Sequence, residues 1–173
     1  MIARHLVANQ SGAAIIELAL VAPFLALMVV GITDMSTAFG RKLSLEQAAQ
    51  RSIEKVMQTT GDTTVAATIQ KEAVCQVNGA NPDGTCMTGR LTTANVTVTY
   101  RLECTTTAGA RTSQTSGDAT VFDAFTCANA TDREARYIDV ALTDSYDAIF
   151  ALNFTSASAG HYPLKARAGV RVQ

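Results

Sequence analysis

Apolar positions along this chain follow three different rules in succession. From Ala13 to Ile32, twenty residues include a single charge, Glu17. At about 1.5 Å rise per residue, such a helix spans roughly 30 Å, the hydrocarbon thickness of a bilayer. Pro23 and Gly31 lie inside the run; both weaken a helix in water, but a membrane span tolerates them. From Asp34 to Gln58 there is no Pro, and Gly40 is the only Gly. Here Leu45, Ala48, Ala49, Ser52, Ile53, Val56 and Met57 recur at three and four, an apolar stripe of helical period. Arg41, Lys42, Glu46, Gln50, Arg51, Glu54 and Lys55 fall mostly on the opposite side. The two patterns join into one long helix over 13–58. Thr59-Thr60-Gly61-Asp62 ends it, and Asp62 suits the cap of a second helix running to about Cys75, with Val65 and Ile69 four apart.

Beyond that point the period becomes two. Val96, Val98, Tyr100 and Leu102 alternate with Thr97, Thr99, Arg101 and Glu103. Ile138, Val140 and Leu142 alternate with Asp139, Ala141 and Thr143, and Leu164, Ala166, Ala168, Val170 and Val172 with Lys165, Arg167, Gly169, Arg171 and Gln173. Strands with one apolar and one polar face predict an antiparallel sheet covered on one side by a helix. The expected fold is therefore α+β: a long N-terminal membrane-spanning helix packed on a small antiparallel sheet. Tyr146, Phe150, Phe154 and Tyr162 are expected in a long hairpin loop capping the core, and residues 105–136 read as a surface loop.

Composition narrows the function. The chain has 173 residues, enough for one domain or one domain plus an anchor, with 14 Lys and Arg against 15 Asp and Glu. That balance excludes a protein holding nucleic acid by bulk positive charge. With 47% apolar and 17% charged residues, wholesale disorder is excluded as well. Cys75, Cys86, Cys104 and Cys127 all follow the apolar run, and they lack the close pairs that zinc sites use. An even count in a loop-rich domain reads as two disulfides, for which three pairings exist. The preferred pairing is Cys75–Cys86, around the Asn78–Gly84 turn, with Cys104–Cys127. Such bonds place the domain in an oxidising compartment, which outweighs the opposing signal of Arg41 and Lys42 directly after the span.

Other chemistry is sparse. His161 is the only histidine after the span and reads as a surface loop residue beside Lys165. Asn78-Gly79-Ala80-Asn81-Pro82-Asp83-Gly84 offers oxygen ligands but lacks the register and terminal Glu of a calcium loop, so a plain turn is expected. Three Asn-x-Thr sequences, at Asn95, Asn129 and Asn153, are expected by chance in a Thr-rich chain, the first inside a predicted strand. There is no phosphate-binding glycine loop. The expectation is a protein that is not an enzyme and uses no metal or cofactor.

Glu17 needs a reason to lie in an apolar segment, since a carboxylate there marks a partner or a function. Cutting after Gly12 would make Ala13 a new N-terminus, with an α-ammonium able to pair with Glu17 one turn away or with that of a neighbouring subunit. Gly12 followed by four apolar residues and Glu17 is similar to the processing site of type IV prepilins. Residues 11–51 as a whole resemble the TadE-like family of the tight-adherence (Tad/Flp, type IVc) pilus. Its features are a short leader, Gly-Ala-Ala-x-x-Glu, an apolar stretch containing Pro (Pro23), an acidic residue near its end (Asp34) and an Ala-Ala-rich helix (Leu45 to Arg51). Leu18 stands where members more often have Phe.

The resemblance implies a leader over 1–12, a transmembrane helix over 13–33, a juxtamembrane helix over 34–58 and a periplasmic head over 59–173. It implies a minor pilin or pseudopilin of the bacterial inner membrane, processed by a prepilin peptidase at Gly12–Ala13, with Glu17 acting in assembly. Implied partners are other pilins or pseudopilins, the inner-membrane assembly platform and membrane lipid, but no nucleic acid. Two further readings remain: an uncleaved single-pass protein with a periplasmic binding domain, and an adhesin or hydrolase secreted after cleavage near Ala38.

Overall fold

A computed structural model describes residues 11–58, 65–148 and 161–172. In chain order the elements are α1 (Ser11–Gln58), α2 (Val65–Asn78), a 3₁₀ turn (Thr93–Asn95), β1 (Val96–Thr105), β2 (Arg111–Ser116), α3 (Ala119–Asp123), β3 (Arg133–Asp147) and β4 (His161–Arg171). The architecture is α+β, with four strands in the order β2-β1-β3-β4. The chain divides into two compact units, breaking at Phe39/Gly40 inside α1 and again at Tyr146/Asp147 and Tyr162/Pro163. The first contains the apolar half of α1; the second contains its amphipathic half and most of the sheet.

In the second unit, alternation becomes burial. Along β1, Val96, Val98, Tyr100, Leu102 and Cys104 are buried while the residues between them reach solvent. Antiparallel pairing sets Tyr100 opposite Ile138 and Leu102 opposite Arg136, so the apolar side of β1 continues through Ile138, Val140 and Leu142 on β3. Leu164 and Ala166 extend it onto β4. Leu45, Ala48, Ala49, Ile53 and Val56 of α1 and Ile69, Ala73 and Val74 of α2 supply the helical part of the core. Ser52 is fully buried among them, and its hydroxyl donates to the Ala49 carbonyl at 2.8 Å. Met57, assigned to the same stripe by spacing, is 61% exposed, because the helix has turned it outward by then. Arg41 caps this layer, its guanidinium 4.9 Å from the Tyr146 ring centroid.

The stretch 105–136 is not a loop throughout. It contains β2, paired with β1 from Tyr100–Ser116 to Thr105–Arg111, and the short α3. β2 (Arg-Thr-Ser-Gln-Thr-Ser) lies at the sheet edge with both faces open, so no apolar alternation announces it. Asp118 caps α3 by accepting from Thr120 N at 2.8 Å, and the Thr120 hydroxyl and amide hold this carboxyl below its usual pKa. Phe122 of α3 packs against Tyr100, centroids 5.4 Å apart. Arg136 lies over the Phe122 ring and donates to the carbonyls of Phe122 and Phe125. Burial raises the Tyr100 phenol pKa.

Tyr146 and Tyr162, expected in a loop, belong to β3 and β4, and Tyr146 is 4% exposed. His161 likewise opens β4, with its imidazole against Asp147. Phe150, Phe154, Asn153, the Asp62 cap and residues 1–10 of the leader lie outside the described residues. Asn95 ends the 3₁₀ turn instead of lying within a strand, and its side-chain oxygen accepts from the Thr92 amide and hydroxyl. β4 forms the other edge; Pro163, Lys165 and Arg167 lie along it, features that discourage further pairing.

Two disulfides, Cys75–Cys86 and Cys104–Cys127, tie loops to this core. The first closes a turn in which Gly79 and Gly84 adopt φ of +95° and +78°, a region that favours glycine. Asp83 accepts from the Thr85 amide and hydroxyl, contacts that lower its pKa. The second joins the core strand β1 to the segment after α3.

Leu102→Ala is expected to lower unfolding free energy by about 2–5 kcal/mol, whereas Val121→Ala, at a 47% exposed position, changes it by less than about 0.5 kcal/mol. Denaturant unfolding followed by near-ultraviolet circular dichroism checks both. Replacing Cys104 and Cys127 together by Ser is expected to remove about 3 kcal/mol in the same measurement, the entropy of closing a loop of this size.

Candidate processing and assembly site

The Ser11-Gly12-Ala13-Ala14-Ile15-Ile16-Glu17 motif forms the first turns of α1. The Gly12–Ala13 bond lies among the first described residues of α1. Gly12 is exposed, with open space where a Cβ would sit. Ala13 and Glu17 are four apart, one turn and about 6 Å along the axis. Glu17 is exposed, and no acidic residue occupies the first turn. A chain beginning at Ala13 would bring its ammonium and the positive end of the helix dipole to within one turn of the Glu17 carboxylate.

Around and beyond Glu17 the helix is bare. Ile15, Ile16, Leu18 and Leu20 are 66–69% exposed, and Phe24, Met28, Ile32, Met35 and Phe39 continue at 59–69%. An 18-residue window of α1 reaches a mean hydropathy of 2.5 with none of it buried, long and apolar enough to cross a membrane. Its polar groups are turned to their own backbone: Thr33 Oγ1 donates to Val29 O at 2.8 Å and Thr37 Oγ1 to Thr33 O at 2.9 Å. Pro23 removes one amide from the ladder, freeing the Ala19 carbonyl. Asp34 is partly covered and engaged. The arrangement offers an exposed glycine near the first described residues of the helix, an apolar surface and the Glu17 carboxylate.

Gly12, Ala13 and Glu17 thus share one end of α1, while the four cysteines belong to the other unit and serve its stability. In that unit a polar cluster escaped the sequence reading of sites. On the outer face of the sheet, Arg101 Nε donates to Asp139 Oδ2 at 2.8 Å, its guanidinium also meets Glu103, and its Cζ lies 4.4 Å from the Tyr137 centroid. The Asp139 bond raises the Arg101 pKa further. Gly169 of β4 leaves room for the Asp139 carboxylate; a Cβ there would collide with it. Alternation alone had put Arg101, Glu103, Asp139 and Gly169 on the polar face, but not in contact.

Two other polar features carry no site. Asp144 is largely buried with Oδ2 unbonded, and Arg90 Nε lies 3.6 Å away. The side-chain oxygens of the Asn78–Gly84 turn have protein donors: Asn78 Oδ1 accepts from the Leu91 amide, and Asp83 Oδ1 from the Thr85 amide and hydroxyl. Among the described residues, no three His, Cys, Asp or Glu side chains come together as metal ligands.

No curated protein and no solved structure matches the chain. A family match does exist, and it falls on the segment just described, from Gly12 through the apolar helix to the buried stripe of its amphipathic half. Residues 12–53 match the family model described as TadE-like protein, and this segment is TadE-like.

Proposed function

We propose that this chain is a minor pilin or pseudopilin of a tight-adherence pilus, taking part in pilus assembly and surface attachment. The observation that carries the proposal is the coincidence of the TadE-like match with a bare apolar helix that begins at Gly12-Ala13-Ala14. A prepilin peptidase cuts after Gly12 on the cytoplasmic side. The helix from Ala13 then holds the protein in the inner membrane as a single span and later packs beside other pilin helices at the assembly platform. The two disulfides support a periplasmic head, since such bonds persist in oxidising compartments. In this role the protein is a structural subunit and not an enzyme.

Glu17 has a physical task in that scheme. A carboxylate among apolar helices is unfavourable alone, and pairing with the Ala13 ammonium of a neighbour offsets the burial and fixes the register between subunits. Lipid covers the helix before assembly and neighbouring helices cover it afterwards, so the exposed apolar surface is satisfied in both states.

Mass spectrometry of membrane-extracted protein, with and without the host's prepilin peptidase, tests the first step. A chain starting at Ala13 only when the peptidase is present is the expected result; a start at Met1 in both leaves an uncleaved single-pass protein and defeats the proposal. Glu17→Ala is expected to reach the membrane at wild-type level while lowering the number of surface pili several-fold. Unchanged pilus counts would remove Glu17 from assembly.

A further inference from the structure

Charge is unevenly shared between the two sides of the sheet. On the outer face, alternation and pairing bring together Arg111 of β2, Arg101 and Glu103 of β1, Arg133 and Asp139 of β3, and Lys165, Arg167 and Arg171 of β4. That face collects six of the chain's 14 Lys and Arg but three of its 15 Asp and Glu (Glu103, Asp139 and Asp147), on a protein whose net charge is −1. Glu103 and Asp139 are already committed to Arg101, and Asp147 lies against His161. Arg111, Arg133, Lys165 and Arg167 are exposed and form no ion pair with another described residue. Thr105 lies between Arg111 and Arg133 in the cross-strand register, so two cations flank one neutral position.

We infer that this outer face binds an acidic polysaccharide, a linear polymer whose sugars carry carboxylates. Lys165 and Arg167 are about 6.8 Å apart along β4, and the row from Lys165 to Arg171 extends about 20 Å, a scale suited to an extended chain with an anion on successive sugars. The open sheet face, with no enclosing wall, suits a polymer held through charge. Nucleic acid fits less well: the aromatic ring on this face, Tyr137, has Arg101 stacked over it and offers no free platform for a base. The Arg101–Asp139–Glu103 group does not supply net charge. It holds the middle of the face rigid, with Gly169 making room for Asp139.

The test uses the full chain in neutral detergent micelles and immobilised alginate, with uncharged dextran as control. Wild type is expected to bind alginate and not dextran. Its affinity should fall with salt at a double-logarithmic slope of about −3, as release of counterions by four cations predicts. Lys165→Glu with Arg167→Glu should weaken binding at least about tenfold with an unchanged circular dichroism spectrum, and Lys71→Glu on α2 should leave it unchanged. Absence of wild-type binding, equal loss in Lys71→Glu, or stronger competition by DNA or phosphatidylglycerol micelles than by alginate at equal charge would each overturn the inference. None of these readouts depends on processing at Gly12 or on pilus assembly.

Discussion

The structure depends first on an apolar surface that the described residues leave bare. Helices in water are stabilised mainly by burying one face; the first half of α1 buries none, yet it is apolar around its whole circumference. A bilayer would supply apolar surroundings for such a segment, and there a helical backbone is favoured because no water satisfies a free amide. The same demand explains why Thr33 and Thr37 return their hydroxyls to the helix. It also sets Glu17 apart, an exposed carboxylate among exposed apolar side chains.

Past Gly40 the helix keeps its geometry but changes its logic. Leu45, Ala48, Ala49 and Ser52 are sealed, while Lys42 and Glu46 stay in solvent, 3.7 Å apart on the far side. Small residues at 48, 49 and 52 let the helix approach its neighbours closely, and the one hydroxyl among them is satisfied within its own turn. The head is therefore built around part of α1, and removing that part would leave the apolar side of the sheet facing water.

Long periodic segments were legible from residues alone. The stripe at Leu45–Val56 and the alternation at Val96–Leu102, Ile138–Leu142 and Leu164–Ala168 each report burial on one side, and burial is what patterning records. β2 was invisible for the same reason: an edge strand of Arg, Thr, Ser and Gln buries neither face, so its backbone pairs without leaving a mark in the sequence. Tyr146 was misplaced because an aromatic next to Asp144 and Asp147 resembles a loop, whereas its ring is buried beneath Arg41. At the candidate site, Gly12 and Glu17 could be read because their spacing is local. The Arg101–Asp139–Gly169 contact spans three strands, and only the register brings it together.

The two sheet edges differ in a way that matters when heads crowd together. β4 is guarded by Pro163, Lys165 and Arg167, while β2 presents six residues with a single charge, Arg111. A domain with two open edges can add strands at both and grow without limit; one with a single open edge can pair only with the same edge of another copy. Strand pairing between heads would then close as a two-fold dimer and stop.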